Sequence, residues 1–221
     1  MQRPASNILS IIFLVTMLSA CITQTKKPSP EIQTLIDSAN SGNTEAQFKL
    51  GSAYDYGQGV TRNGNEALKW YLMSAEAGNA EAQNSVGSGY QAEKKYKLAY
   101  EWYEKAAKQN HALATNNLGY LHDLGLGVPQ DRKKGYDLYL RSANLGWAEA
   151  MFNIGQMLGS GQLGKVNIEE GCIWSIRALK YSTQGRVKEQ AKGTVNYCKK
   201  KLTESEYKKA ENDANNWSPK S

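Results

Sequence analysis

Ser205-Glu206-Tyr207-Lys208 sets a hydroxyl three residues ahead of an amine. On a helix that spacing puts both on one face, where a neutral lysine can take the serine's proton and make it a nucleophile. The chemistry needs partner stretches of the Ser-Asp-Asn and Lys-Thr-Gly kind, and neither occurs. A pattern with two fixed positions in four arises readily by chance. His111 and His122 are the only imidazoles, and no HExxH or CxxC is present, so neither a metal site nor a cofactor is expected. Asp55 and Asp123 stand at equivalent points of a repeated pattern, and that symmetry accounts for them before acid–base work does. Cys172 and Cys198 flank a turn around residues 182–185. In an antiparallel helix pair they would lie within about one turn of each other. A bridge between them is allowed, with two buried free thiols as the alternative. No set forms a catalytic constellation, and the chain reads as a non-enzyme.

The third cysteine has a different setting. Arg3 is the only charge in the first twenty residues, and Ile8 to Leu18 is almost wholly apolar. That run is too short to span a bilayer and suits the core of a signal peptide. It ends in Leu18-Ser19-Ala20-Cys21, which resembles the bacterial lipobox, so Cys21 is expected to carry the lipid and become the mature N-terminus. Several acyl chains on one cysteine anchor firmly. Ile22 follows, where lipoproteins of the enteric type carry Asp if they stay at the inner membrane. The resemblance implies anchoring to the outer membrane, facing the periplasm, with the lipid as the only membrane contact. The net charge is +6, and residues 185–221 hold nine Lys/Arg against five Asp/Glu. An exported lipoprotein seldom meets nucleic acid, so this excess is read as a solvated face or a weak lipid-facing surface, and nucleic acid is not expected as a partner.

The elements that would position these residues come from a repeat. Gly42, Gly78, Asn110 and Gly146 head four units spaced 36, 32 and 36 residues apart. Below them run Ala46, Ala82, Ala114, Ala150, then Leu50, Val86, Leu118, Ile154, then Gly51, Gly87, Gly119, Gly155. An aromatic column follows as Tyr54, Tyr90, His122 and Leu158; the second half aligns Tyr71, Tyr103, Tyr139 and Ser175. Ala46, Leu50 and Tyr54 share one helix face, and Ala67, Trp70, Tyr71 and Ala75 another. A glycine inside a helix costs about 1 kcal/mol against alanine, so its recurrence predicts close approach of the paired helix. One such pair cannot bury its apolar face alone; stacked pairs can. The pattern A-x-x-x-L-G-x-x-Y-x-x-G-x-G-V, then A-x-x-W-Y-x-x-A, resembles Sel1-like repeats, relatives of the tetratricopeptide repeats. The resemblance implies an all-α, right-handed superhelical solenoid of antiparallel helix pairs. Unit two lacks the Gly-x-Gly-Val loop, so a tighter turn is expected there. The division expected is a signal peptide over 1–20, a lipidated tether over 21–30, a capping helix over 31–41, four repeats over 42–184 and capping helices over 185–221. Thr203 with Glu206 forms a capping box for the last helix.

By the same resemblance, a partner lies along the first helix of each pair, at positions two and five residues either side of the core leucine. These are Glu45, Phe48, Ser52 and Asp55 in unit one, and Glu81 and Asn84 in unit two. Units three and four give Asn116, Tyr120 and Asp123, then Glu149, Phe152 and Gln156. This set has acids and aromatics and no Lys or Arg, which suits a protein partner. The expected function is protein binding. Its sharpest form, again by resemblance, is immunity against a lipid-degrading, phospholipase-type effector of type VI secretion. A structural adaptor of an envelope complex is the alternative, and a β-lactam-binding or cell-wall enzyme a third reading.

Overall fold

A computed structural model describes residues 28–220. The expected signal peptide, Cys21 and the tether up to Lys27 lie outside the described residues. Pro30 opens helix α1 (Pro30–Asn40) behind a Ser29 cap. Four helix pairs follow: α2 (Thr44–Tyr56) with α3 (Gly64–Glu76), α4 (Ala80–Ala92) with α5 (Tyr96–Lys108), α6 (Ala112–Leu124) with α7 (Arg132–Asn144), and α8 (Ala148–Ser160) with α9 (Ile168–Tyr181). Helices α10 (Arg186–Lys201) and α11 (Glu204–Asn215) close the chain. The described residues form an all-α solenoid in which each helix packs on its neighbours in sequence.

The turns between units follow from the head column. Gly42, Gly78 and Gly146 have φ of +90°, +98° and +89°, and Asn110 takes the same left-handed region at +62°, which asparagine tolerates better than other side chains. In the first three units the side chain of the next residue caps the following helix, while Trp147 in the fourth makes no such bond. Asn43 and Asn79 accept from the amides of Ala46 and Ala82 at 2.8 Å. His111 does so through Nδ1, from Ala114 at 3.1 Å, so this histidine serves as a cap. Buried glutamines lace the units together: Gln47 donates to the Ala39 carbonyl at 3.2 Å and Gln83 to the Ala75 carbonyl at 3.1 Å.

The helical glycine column has two causes. A Cβ on Gly51, Gly87 or Gly119 would stand 2.7, 2.6 or 2.9 Å from the ring of Tyr71, Tyr103 or Tyr139. In three units it is thus a tyrosine of the second helix that crosses the glycine. In the fourth a Cβ on Gly155 would stand 2.7 Å from Ser175 Oγ and 2.9 Å from the Gly171 carbonyl. The expected close approach of the paired helix thus holds in all four units, through a ring in the first three and through the Ser175 hydroxyl and backbone in the fourth.

Unit two turns through residues 93–95, where the other units use 57–63, 125–131 and 161–167. Lys94 has φ +60° there. One contact survives the shortening. The residue before each second helix donates its amide to the aromatic-column carbonyl: Asn63 to Tyr54, Lys95 to Tyr90, Asp131 to His122 and Asn167 to Leu158, all at 2.8–2.9 Å. At the far end Ile173, Ile176, Val195, Ala210 and Ala214 form the cap's core. Trp217 packs edge-on to Trp174 and Tyr181, with ring centres 5.6 and 5.7 Å apart, and the Arg177 guanidinium lies 4.4 Å from the Trp174 ring centre. The capping box of Thr203 and Glu206 forms.

Candidate partner-binding groove

The first helices of the pairs, α2, α4, α6 and α8, share one face, and three hollows follow one another along it. The first is lined by Asp55, Tyr71, Asn84, Ser88 and Leu113 among others, and so reaches from unit one into unit three. The second draws Gln91 from unit two, Asn116 and Tyr120 from unit three, Phe152 from unit four and Arg186 from α10. A hollow lined by the four alternate helices α4, α6, α8 and α10 requires the face to be concave. The third is an open hollow of about 520 Å³ between α8, α9 and α10. Its walls include Phe152, Gln156, Gly159, Gly193, Tyr197 and the Cys172–Cys198 pair. The two sulfurs are bonded, with Cα atoms 5.9 Å apart.

The groove floor is made of amides. Asn84 and Asn116 are 7% and 4% exposed. Asn117 donates from Nδ2 to Asn84 Oδ1, and Asn153 to Asn116 Oδ1, both at 3.2 Å. These bonds join units two, three and four across the concave face. Tyrosine hydroxyls reach the same floor from behind. The Tyr103 hydroxyl donates to Gln91 Oε1 at 3.1 Å and accepts from Ser88 Oγ at 3.2 Å. Burial and the nearby Asp55 push the Tyr71 phenol up to about 12, with a Ser52 hydrogen bond opposing. In unit four Ser175 stands in that column, and its hydroxyl turns back to the Gly171 carbonyl at 2.8 Å.

Of the residues selected from sequence, Asp55, Asn84, Asn116, Tyr120, Glu149, Phe152 and Gln156 line these hollows. Ser52 sits at the Tyr71 hydroxyl, and Phe48 packs on the Tyr71 ring at 5.7 Å. The remaining three lie elsewhere. Glu45 pairs with Lys49 at 3.3 Å, and Glu81 with His111 Nε2 at 2.9 Å, so both sit at the rim where one unit meets the next. Asp123 lies against Arg132, 3.8 Å away; burial raises its carboxyl and Arg132 opposes that. The expectation of a groove without Lys or Arg is corrected. Arg186 reaches in from α10 and meets Glu149 at 3.1 Å. It was missed because α10 lies outside the repeat. Asn117 and Asn153 stand one residue beyond the selected column, and their polar character was the signal available.

The other chemistry-bearing residues lie apart from the groove. His122 is 6% exposed and stands edge-on to Tyr100, ring centres 5.7 Å apart. Burial lowers its pKa and nearby Lys134 adds to this, while Asp131 and the Pro129 carbonyl oppose. Ser205 and Lys208 are exposed on α11, and Lys208 is held by Glu204 at 2.6 Å. Among the described residues no cluster of three or more His, Cys, Asp or Glu could hold a metal, and no helix is long and apolar enough to cross a membrane.

Stacked helix pairs with a concave face lined by their first helices define a helical-repeat binding protein. The Sel1 repeat model matches residues 44–79, 80–111, 112–147 and 148–180, and the chain belongs to the Sel1-repeat family. Such repeats mediate protein–protein interaction. A chitin synthase regulatory factor of Schizosaccharomyces pombe is 37% identical over 83 residues, which is 37% of this chain and 9% of that protein. An exopolysaccharide production negative regulator of Rhizobium meliloti is 30% identical over 153 residues, 66% of this chain and 48% of that protein. The chain thus spans less than half the length of either relative. Among solved structures, a protective antigen of uropathogenic Escherichia coli with an SLR fold superposes with a TM-score of 0.77 at 28% identity, over 94% of this chain and 44% of that one. An immunity protein of Pseudomonas aeruginosa superposes with a TM-score of 0.50 at 15% identity, over 96% and 84%, a likeness of fold alone.

Proposed function

We propose that this protein is a lipid-anchored binding protein at the periplasmic side of the outer membrane, held there through Cys21, whose groove takes a protein partner. The observation that carries the binding role is the second hollow, in which four alternate helices converge on Tyr120, Phe152 and the Asn116 amide. Half-exposed aromatic rings beside fixed polar groups are the usual composition of an interface core. The lipid anchor is supported by Leu18-Ser19-Ala20-Cys21 at the end of an apolar run. The particular role proposed is immunity: the groove occupies an effector of type VI secretion, of the phospholipase type, before it reaches its substrate. A structural adaptor is the second reading, favoured by the length of the groove.

The test uses a strain lacking the gene, exposed to sister cells that deliver the effector encoded nearby. The wild-type gene restores survival. Tyr120→Ala with Phe152→Ala, made in protein that keeps wild-type circular dichroism, loses protection and binds the purified effector at least 10-fold more weakly. Cys21→Ser separates the lipid from the protein fraction in membrane flotation. Survival without the gene overturns the immunity role, and full binding by the double variant overturns the groove.

A further inference from the structure

Resting on the protein-binding reading above, we propose that the groove takes its partner as an extended polypeptide segment. A large apolar side chain of that segment sits in the hollow beside Cys172–Cys198, and a cationic one lies over Asp55.

The amide rungs give the form of the ligand. Each rung leaves a donor, Nδ2 of Asn84 or Asn116, and an acceptor, Oδ1 of Asn117 or Asn153, which no hydrogen bond engages among the described residues. An extended main chain offers one N–H and one C=O per residue, the complement of such a pair. Packed helices stand about 8–10 Å apart and an extended chain rises about 3.3 Å per residue. Successive rungs therefore meet it about every third residue. Main-chain contacts of this kind are tolerant of side chains between the anchors.

The socket gives the apolar anchor. In the first three units a tyrosine crosses between the paired helices to the groove floor. In unit four Ser175 leaves no ring to do so, and the wall there is Gly155, Gly159, Gly171, Gly193 and the cystine. No charged side chain lines this hollow. Its roughly 520 Å³ admits one large side chain, and Tyr197 at its edge, 49% exposed, offers a ring to stack on. At the other end Asp55 has no ion pair among the described residues, whereas Glu93 in the same hollow is taken up by Lys95 at 2.6 Å; the Asp55 carboxylate sets the sign of the second anchor. Three helix spacings separate Asp55 from the socket, or about seven to nine residues of extended chain. A sugar chain would use the same hydroxyls and rings, but the paired donor and acceptor of each amide rung match the N–H and C=O of a main chain better than a ring of hydroxyls.

The experiment pans random twelve-residue peptides on the full chain, then titrates the best sequence in solution. Selected peptides carry one large apolar residue, with Lys or Arg seven to nine positions away and free choice between. Their binding shifts the side-chain amide resonances of Asn84, Asn116 and Asn153. Gly193→Trp fills the socket and weakens binding at least 10-fold. A Cβ at Gly193 meets nothing within 4 Å, so this variant keeps its fold, which its melting temperature checks. A hexamer of N-acetylglucosamine serves as the competing probe. The proposal is overturned if no peptide is enriched, if Gly193→Trp leaves affinity unchanged, or if the sugar binds and peptides do not. If a folded effector still loses binding through Tyr120→Ala with Phe152→Ala, only the extended-segment inference has failed. If it does not, the groove reading fails as well.

Discussion

At the residue scale, two glycines of α4 separate a packing constraint from a propensity effect. A methyl on Gly87 enters the Tyr103 ring at 2.6 Å, whereas one on Gly89 meets nothing within 4 Å. Gly87→Ala therefore lowers stability by about 1–2 kcal/mol, overpacking exceeding the helix-propensity gain. Gly89→Ala raises it by about 0.5–1 kcal/mol. Urea denaturation of both variants checks the opposite signs. The head column was legible in sequence because positive φ restricts residue type: Gly42, Gly78, Asn110 and Gly146 announce the turn by themselves. The helical glycine column announced the close approach of the paired helix, but nothing in the spacing says whether a backbone or a ring comes close. His122 carries a pH dependence. Its pKa in the fold is lowered by burial, so above the unfolded value near 6.5 it contributes nothing. As pH falls below that, the unfolded chain takes up a proton that the folded chain does not, and stability declines until pH reaches the folded pKa. Denaturation midpoints at pH 7.5, 6 and 5 should fall more steeply for wild type than for His122→Phe.

At the scale of elements, the Cys172–Cys198 bond ties α10 to α9 and so fixes the wall of the third hollow. The closed loop spans a sequence separation of 26. Replacing both cysteines by serine removes about 2–4 kcal/mol on the chain-entropy account. Because each unit leans chiefly on its neighbours, the loss is local. Amide exchange should speed up in α10 and α11 while α2 to α7 keep their protection, and uniform acceleration would contradict this. The helices were legible from the periodicity of alanine, leucine and tyrosine, and the capping box from Thr203 and Glu206. The groove was legible only in part. Columns place a residue on a face, but they give no account of what a helix outside the repeat sends in, and Arg186 meets Glu149 from such a helix. Ser175 was visible as a break in the tyrosine column; that the break leaves a hollow follows only from how closely Gly155 and Gly171 bring their helices together.

At the scale of the molecule, curvature is a property of the stack and of the amides that span it. Asn117 on Asn84 and Asn153 on Asn116 join units that are otherwise held from behind by their second helices. Removing the rungs with Asn117→Ala and Asn153→Ala frees the inner edge while leaving the core in place. The solenoid should then open, seen as a larger radius of gyration in small-angle scattering with little change in helix content; an unchanged radius would contradict this. The rungs also give the stack a mechanical character. Pulled from its two ends, the protein should act as a short spring whose inner coils are latched, the Asn117–Asn84 and Asn153–Asn116 bonds resisting the first extension.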